Sequence, residues 1–304
     1  MKNAGNKSRW NLRMTWPLYV MIAPAIILVF IFNYVPMYGM VIAFQNYQPS
    51  KGFIGSPFVG LSWFEYLFSM RDFPQIIQNT FSIALMKIVF GQLAPILFAL
   101  LLNEIGSVYF KRTVQTMVYL PHFLSWVIVG TIFVDILSTK GIFNQFLGLF
   151  GVKPIFFLGT SRYFQPTIVA VDVWKGFGWN SIIYLAALAG INMDLYEAAQ
   201  IDGANRIQKV WFITLPGIMP TIMLLSTLAL GNVLNAGFEQ ILMMYNPAVY
   251  RVGDILDTFV YRSGLLEAQF SLASAVGMLK SVCGCIMVVF SYWLVARFSD
   301  YRVF

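Results

Sequence analysis

The chain has 304 residues, of which 59% are hydrophobic and only 11% are charged, and its mean hydropathy is +0.71. This composition leaves too little polar surface to cover a water-soluble globule, so it excludes the class of soluble proteins. The formal net charge of +7 does not indicate nucleic-acid binding, because no cluster of basic residues lies on a soluble domain. The sequence therefore predicts a protein embedded in a lipid bilayer.

Six apolar stretches are long enough to cross the hydrocarbon core as helices, which requires roughly 20 residues at about 1.5 Å of rise per residue. In chain order they cover residues 16–44, 76–102, 113–137, 166–190, 217–245 and 272–296. Transmembrane strands would be shorter and would alternate apolar with polar residues, so the predicted fold class is all-α. The first stretch exceeds the h-region of a signal peptide and no A-x-A cleavage site follows it, so we expect a retained helix.

The sequence divides into a six-helix transmembrane domain, residues 16–296, and two short tails, 1–15 and 297–304. An even number of spans places both tails on one side, together with the links after the second and fourth spans. Basic residues are about twice as dense on this side as on the other, which predicts that it is cytoplasmic. They are Lys2, Lys7, Arg9, Arg13, Lys111, Arg112, Arg206, Lys209, Arg297 and Arg302. We therefore expect a multi-pass protein with both termini in the cytoplasm.

Residues with catalytic or metal-binding potential are few. The sequence contains no nucleophile elbow, no Walker loop and no HExxH motif. The single histidine, His122, has no cysteine or second histidine at metal-ligand spacing. Cys283 and Cys285 would point roughly 200° apart on a helix, so they cannot pair with each other. We predict no catalytic residue, no metal site and no cofactor bound by this chain.

The link between the fourth and fifth predicted spans, residues 194–216, contains the longest stretch of alternating charge, EAAQIDGANRIQKVWFITLP. Asp194 is predicted to cap a short helix over 195–202, and Gly203 provides the break before a second helix over 204–214. The second helix is expected to end at Leu215-Pro216. Charged and apolar residues fall on separate faces, which is typical of a helix in lipid headgroups or in a groove of another protein. The residues alone leave both alternatives open.

The same segment resembles the EAA…DGA…I-LP loop of permease subunits of bacterial binding-protein-dependent ABC importers. The matching residues are Glu197, Ala198, Ala199, Asp202, Gly203, Ala204, Ile213, Leu215, Pro216 and Pro220. Trp211 stands where the family more often has Phe. The resemblance implies the fold of a type I importer permease, in which this loop forms coupling helices that fit a cleft on the ATPase subunit. It implies that Glu197 is an ionic contact to the ATPase, that Gly203 sets the turn and that Trp211 is an apolar knob.

Three further stretches are similar to the carbohydrate branch of these permeases, particularly the group associated with complex saccharides and polysaccharide breakdown products. They read YVPMYGMVIAFQNY, NEIGSVYFKRTVQTMVYLPHFLSW and WKGFGWNSIIYLAAL. The resemblance implies a heterotetramer in the bacterial cytoplasmic membrane, formed by this chain, a second homologous permease and two ATPase subunits. It also implies an extracellular solute-binding protein that delivers an oligosaccharide. ATP and Mg would be bound by the ATPase subunits.

Six ionisable residues lie inside the predicted spans, where each costs at least about 2.5–3.5 kcal/mol and therefore suggests a function. They are Lys87, Asp135, Asp172, Lys175, Glu239 and Lys280. Each lies at the midplane or in the outer half of its span, which predicts a water-accessible cavity above packed apolar helices. Structural alternatives stay open. Lys87 and Lys280 can snorkel outward, Asp135 can lie at the interface, and Asp172 can pair with Lys175 on one helix face.

Glu239 and Asn235 are the principal candidates for a substrate pathway, because the segment GNVLNAGF interrupts an apolar helix with glycines and amides. Trp174 and Trp179 lie around the KGFGWN segment of the fourth span and can stack on sugar rings, although aromatic belts and helix packing explain most membrane tryptophans. The remaining candidates for the pathway are Lys87, Asp172 and Lys175.

The sequence thus predicts a permease subunit that translocates oligosaccharides by alternating access, driven by a partner ATPase. One alternative is a secondary transporter that uses Asp172 or Glu239 as a proton site, and another is a membrane scaffold or sensor without transport. A third, within the same family, is a permease for amino acids or peptides. Whether the saccharide is acidic stays open, although Lys87, Lys175 and Lys280 suggest uronate-bearing sugars.

Overall fold

The computed structural model describes residues 12–298, which are helical apart from loops and an isolated bridge between Gln45 and Phe58. Of the predicted tails, residues 1–11 and 299–304 lie outside the described part of the chain. The helices are α1 (Leu12–Val29), α2 (Gly52–Gly55), α3 (Ser62–Ser69), α4 (Phe73–Asn103), α5 (Val108–Tyr119), α6 (Trp126–Ile136), α7 (Ile142–Gly148), α8 (Ser161–Ala189), α9 (Met193–Ile201), α10 (Arg206–Lys209), α11 (Leu215–Gly231), α12 (Phe238–Met244), α13 (Tyr250–Gly253), α14 (Leu256–Tyr261) and α15 (Phe270–Phe298).

Within residues 12–298, four helical stretches are long and apolar enough to cross a bilayer. They are Trp16–Phe44, Phe73–Asn103, Arg206–Gly231 and Phe270–Trp293. Two bent pairs, α5 with α6 and α8 with α9, raise the number to six if each pair is one span. The predicted all-α class is confirmed. The first, second, fourth and sixth predicted spans coincide with observed helices to within about five residues at either end, close to the precision with which helix ends are defined.

The third predicted span, 113–137, is wrong as a single helix. α5 and α6 meet at an angle of 101°, with a 3-10 turn over Leu120–Phe123 between them. Pro121 has no N–H group with which to continue the helix, and the side chain of Ser125 accepts a backbone hydrogen bond that starts α6. The hydropathy of the stretch is high on both sides of the bend, so an apolar average does not reveal it.

The start of the fifth span also differs from the prediction. The observed helix begins at Arg206 and runs without a break into the bilayer, so the expected stop at Leu215-Pro216 does not occur. A π-helical turn over Val210–Thr214 precedes Pro216. A π-helical turn joins backbone groups five residues apart instead of four. Pro216 cannot donate a backbone hydrogen bond, and the helix continues past this proline. The second half of the loop and the fifth span are therefore one helix.

At its other end the fifth span is shorter than predicted, because the helix ends at Gly231 and not at residue 245. Residues 232–237, which we call the interruption, carry no helix. The interruption closes at Gly237, whose φ of +94° is a left-handed conformation that favours glycine. α12 begins after this turn as a separate helix. The apolar stretch 217–245, which was predicted as one span, therefore consists of two helices.

α4 and α8 make the most extensive contact between two helices and form the centre of the bundle. The main core around them includes Phe73, Ile83, Phe164 and Ile241, all buried. α5 approaches α8 at Gly178, where a Cβ atom would lie 2.3 Å from the carbonyl oxygen of Val118. Close contact at this point therefore requires the absence of a side chain.

The first span projects from this core. No residue in its most apolar window is buried, and its last part, a 3-10 helix over Val35–Phe44, packs against α15. The apolar side chains of the first span therefore lie outside the core of this chain and are exposed.

Candidate functional site: a helical loop and a polar cavity

The link between the fourth and fifth spans folds into two short helical pieces that meet at Gly203. The side chain of Asn192 accepts a hydrogen bond from the amide of Asp194 at 3.0 Å, so the N-cap of α9 is Asn192 and the prediction of Asp194 was wrong by two residues. Gly203 has a φ of +79°, and a Cβ atom there would have no neighbour within 4 Å. The glycine is therefore required by the left-handed turn and not by close packing.

The outer surface of this loop combines large apolar side chains with charge. Ile201, Ile207, Trp211 and Phe212 are between 64% and 87% exposed, and Glu197 is exposed beside them. Large apolar groups exposed together are typical of a surface that binds another protein or a membrane. Of the remaining predicted loop residues, Ala198, Asp202 and Pro216 are exposed and Ala199, Ala204 and Leu215 are half-buried.

Hydrogen bonds join the two pieces of the loop to each other. The hydroxyls of Tyr196 and Thr214 lie 2.9 Å apart, and Lys209 Nζ donates to Gln200 Oε1 at 3.2 Å. α10 opens with a reciprocal capping box and continues directly into the fifth span. α9 is therefore joined by hydrogen bonds to the start of the long helix Arg206–Gly231.

A polar cavity of about 380 Å³ lies at the far end of that helix, between α4, α8, α11 and the interruption. Its polar lining consists of Lys87, Gln92, Asp172, Asn180, Tyr184, Asn232 and Asn235. Sites for small polar molecules place a few convergent hydrogen-bonding groups in such a concave surface. Interrupted helices beside a cavity are also where membrane transporters bind their solutes.

Lys87 is the most buried charged group of the cavity. Its Nζ lies 3.1 Å from Asp172 Oδ1, and its side chain is 10% exposed. It also donates to the side-chain oxygen of Gln240, whose amide donates to the carbonyl of Ile168 at 2.7 Å. Asp172 therefore pairs across the bundle with α4, and the alternative in which it pairs with Lys175 is wrong.

Lys280 forms a second ion pair at the edge of the cavity. Its Nζ lies 2.6 Å from Asp257 Oδ1 in α14 and 2.8 Å from Asn235 Oδ1 in the interruption. Because each of these lysines is balanced by a carboxylate, the cavity carries little net charge. The two pairs also connect α4, α8, α14 and α15 to the residues around the interruption.

The hydroxyl of Tyr184 is buried at the cavity and has no hydrogen-bond partner within residues 12–298. A buried polar group without a partner costs about 1–3 kcal/mol. Since the cavity is the open space beside this ring, a solute or water in the cavity can supply the partner.

Four other predicted pathway residues lie outside the lining of the cavity. Glu239 is exposed in the first turn of α12. Lys175 donates to the carbonyl of His122 at 2.9 Å, and Trp179 stacks on the ring of His122 with centroids 4.6 Å apart. Trp174 lines apolar surface grooves on α8. The structure thus brings Lys87, Asp172 and Asn235 together and leaves Glu239, Lys175, Trp174 and Trp179 apart from them.

The predicted site residues do not include Gln92, Asn180, Tyr184 or Gln240. All four are uncharged, so a search for ionisable residues in apolar spans passes over them. An amide in an apolar helix would have been the usable signal, because amide groups in lipid also need partners. Gln92 accepts a hydrogen bond from Ser226 at 2.7 Å, which is a contact between α4 and α11.

Residues 91–300 match the family described as binding-protein-dependent transport system inner membrane component. Among its relatives from Bacillus subtilis (strain 168), the polygalacturonan/rhamnogalacturonan transport system permease protein YteP is 41% identical over 288 residues, which are 94% of this chain and 90% of YteP. Protein LplB is 40% identical over 288 residues, which are 94% of this chain and 91% of LplB.

The fold is similar to a solved bacterial ABC transporter involved in the import of the acidic polysaccharide alginate. The match has a TM-score of 0.88 and 39% identity and covers 95% of this chain and 98% of that chain. A structure of the alginate transporter in complex with an alginate pentasaccharide-bound periplasmic protein also matches, with a TM-score of 0.88 and 38% identity. The family and the importer permease fold expected from the loop are both confirmed. The chain belongs to the family of binding-protein-dependent transport system inner membrane components.

Proposed function

We propose that this chain is the transmembrane permease subunit of an ATP-driven importer for oligosaccharides, which arrive on an extracellular binding protein. The observation that carries the proposal is a single helix, Arg206–Gly231, that begins in the exposed loop and ends at the polar cavity. Support for a saccharide comes from YteP, which is named for polygalacturonan/rhamnogalacturonan transport, and from the alginate transporter.

In this proposal two ATPase subunits bind ATP and Mg, and one of them receives the loop on the cytoplasmic side. Glu197 forms an ionic contact with the ATPase and Trp211 fills an apolar pocket on it. Because the helix has 26 residues and is about 39 Å long, a tilt of about 5° at the loop moves its far end by about 3 Å. That displacement is enough to change the shape of the cavity. In this proposal, alternating access consists of such a change.

The cavity binds the solute through hydrogen bonds more than through net charge. Asn232, Asn235 and Tyr184 line the cavity where they can bond sugar hydroxyls. Lys87 and Asp172 add a charged pair to the same lining. We propose Lys87, Asp172 and Asn235 as contacts of the solute inside the cavity. Glu239, Lys175, Trp174 and Trp179 remain predictions for other parts of the pathway.

The assembly expected around the chain contains a second homologous permease, two ATPase subunits and the binding protein, in the bacterial cytoplasmic membrane with both termini in the cytoplasm. Two of the matching transporters are named for acidic polymers. Uronate-bearing oligosaccharides are therefore the first class of solute to assay, with neutral oligosaccharides of the same length as competitors.

Gly203→Val tests the coupling loop, because a β-branched residue at φ +79° is strongly disfavoured. Gly106→Val is the matched control, since Gly106 lies in the other short link on that side, has open space around it and has no left-handed φ. The complex is purified from native membranes and its ATPase activity is measured with and without binding protein. We expect Gly203→Val to lower the stimulation by binding protein about tenfold, which corresponds to roughly 1.4 kcal/mol.

The control variant is expected to retain stimulation and to recover the same subunits. If the chain purified alone and moved solute without ATP, the proposed function would be wrong. Equal activity of the two variants would instead remove Gly203 from the coupling mechanism.

A further inference from the structure

The interruption has a strict division between its two faces. Val233, Leu234 and Ala236 are 3%, 5% and 0% exposed, whereas Asn232 and Asn235 are exposed and line the cavity. No regular helix fixes this arrangement, because the interruption lies between α11 and α12. A backbone turn bond from Asn235 N to Asn232 O at 2.9 Å and a bond from Asn232 Nδ2 to the carbonyl of Leu228 at 3.0 Å contribute to it. Side-chain contacts hold the amide of Asn235.

Lys280 supplies the strongest of these contacts. Its Nζ lies 2.8 Å from Asn235 Oδ1, and Asn235 Nδ2 lies 3.4 Å from Asn232 Oδ1. An ammonium group has three donors and no acceptor, so it binds the oxygen of the amide and leaves the NH2 group on the opposite side. Because the NH2 group also donates to Asn232 Oδ1, one of its two N–H groups is left for another acceptor.

Asp257 fixes the position of the ammonium group. Its Oδ1 lies 2.6 Å from Lys280 Nζ, and the two side chains are 25% and 21% exposed. Hydrogen bonds between charged groups are shorter and stronger than neutral ones. The pair therefore anchors Nζ between α14 and α15, and Asn235 is held against that anchor.

We propose that Lys280 is a positioning residue of the solute pathway, which holds the interruption in place and presents the NH2 group of Asn235 to the cavity. The cavity then offers a donor at this point, suited to a hydroxyl or carboxylate oxygen of the solute. The identity of that solute rests on the proposed function, whereas the positioning is a property of this chain alone.

Cysteine labelling measures the positioning directly. The chain contains two cysteines, Cys283 and Cys285, and replacement of both by serine gives a background for single probes. Asn232→Cys reports the cavity face and Val233→Cys reports the buried face. Both are labelled with a hydrophilic maleimide in the purified, assembled complex, and the ratio of the two rates is the readout.

With Lys280 in place we expect the cavity-face probe to react at least about tenfold faster than the buried one, because labelling of a buried position requires local opening. Lys280→Met should bring the ratio close to one, and Lys280→Arg, which keeps a donor and a charge, should restore most of it. Lys175→Met is the matched control, because Lys175 is another lysine of the spans that contacts His122 and not the interruption. It should leave the ratio unchanged.

Asn235→Leu provides a second test that does not depend on the assembly of Lys280→Met. It removes the amide that Lys280 holds but retains the pair of Lys280 with Asp257, and it should also lower the ratio. An unchanged ratio in either assembled variant would overturn the proposal. Loss of ATPase stimulation by binding protein in the unsubstituted complex would count against the proposed function and would not alter the labelling result.

Discussion

Lys87 lies in the second span, where an isolated ammonium group would cost at least about 2.5–3.5 kcal/mol. Asp172 and Gln240 both accept hydrogen bonds from it, so the charge is balanced and two of its three donors are used. Lys87 is also one of the residues that line the cavity. A buried pair of this kind contributes less to stability than its geometry suggests, because both groups lose hydration.

Removal of only one partner should therefore be more harmful than removal of both. Asp172→Asn leaves Lys87 without its carboxylate, and loss of one partner from a buried pair costs roughly 3–5 kcal/mol. Because Asp172 is 30% exposed to the cavity, we expect a smaller cost of about 2 kcal/mol. The double variant Lys87→Met/Asp172→Asn should melt at a higher temperature than Asp172→Asn alone. Additive effects in this double-mutant cycle would contradict the pairing.

At the scale of single residues, the sequence predicted Lys87, Asp172 and Lys280 as charges within the spans but not the pairs Lys87–Asp172 and Lys280–Asp257. The partners of Lys87 lie 85 and 153 residues away along the chain. Local spacing suggested Asp172 with Lys175, three residues apart, and packing of α4 against α8 made a different pair. Gly203 could be predicted because a left-handed turn depends on one residue. The hydroxyl of Tyr184 could not be predicted, because its surroundings depend on the packing of α4, α8, α11 and the interruption.

At the scale of elements, the contact between α5 and α8 depends on a glycine. A Cβ atom on Gly178 would lie 2.3 Å from the backbone oxygen of Val118, and a backbone atom cannot move aside as a side chain can. Two residues earlier on the same helix, Gly176 has only Asn180 Nδ2 within reach, at 3.6 Å. The two glycines thus have different roles.

Substitution by alanine should separate these roles. Gly178→Ala must push α5 away from α8, and overpacking of this kind costs about 1–3 kcal/mol. Gly176→Ala is the control, and it should be neutral or stabilising by up to about 1 kcal/mol because alanine favours a helix. Thermal melting of the purified complex measures both. Equal melting temperatures would show that α5 does not approach α8 as closely as described.

The helices could be predicted wherever one apolar stretch of the sequence forms one continuous helix. They were not predictable at Pro121, Pro216 and Gly237, where the chain changes direction or helix type inside an apolar stretch. Hydropathy measures the environment of side chains and not the continuity of backbone hydrogen bonds. Helical turns continue past both prolines. The bend after Pro121 lies at Leu124 and Ser125, where the backbone is extended, and a π-helical turn precedes Pro216.

At the scale of the whole molecule, the loop and the cavity lie at opposite ends of one helix. Under the proposed function, this helix links binding of the ATPase to the shape of the cavity. A secondary transporter needs no such link. Its candidate proton sites are also less suited to the task, because Asp172 is held by Lys87 and Glu239 lies apart from the cavity. The described geometry therefore favours ATP as the source of energy.

Reconstituted vesicles distinguish the two energy sources. The complex is inserted with its ATPase face inside, ATP is enclosed, and binding protein with labelled oligosaccharide is added outside. We expect uptake to need enclosed ATP and to persist when a protonophore removes the pH gradient, because in the proposed function ATP hydrolysis by the partner subunits supplies the energy. Omission of ATP should reduce uptake to the background of empty vesicles. Uptake driven by a pH gradient without ATP would contradict this prediction.

The pairing of Lys87 with Asp172 also has a consequence for the time at which the protein becomes stable in the membrane. The two residues are 85 positions apart, and a ribosome that adds about 5–20 residues per second needs roughly 4–17 seconds to make the interval. During those seconds the ammonium group of a newly inserted α4 has no carboxylate, so the insertion machinery or nearby headgroups must solvate it. Biosynthesis thus passes through an intermediate that becomes complete only when the fourth span arrives.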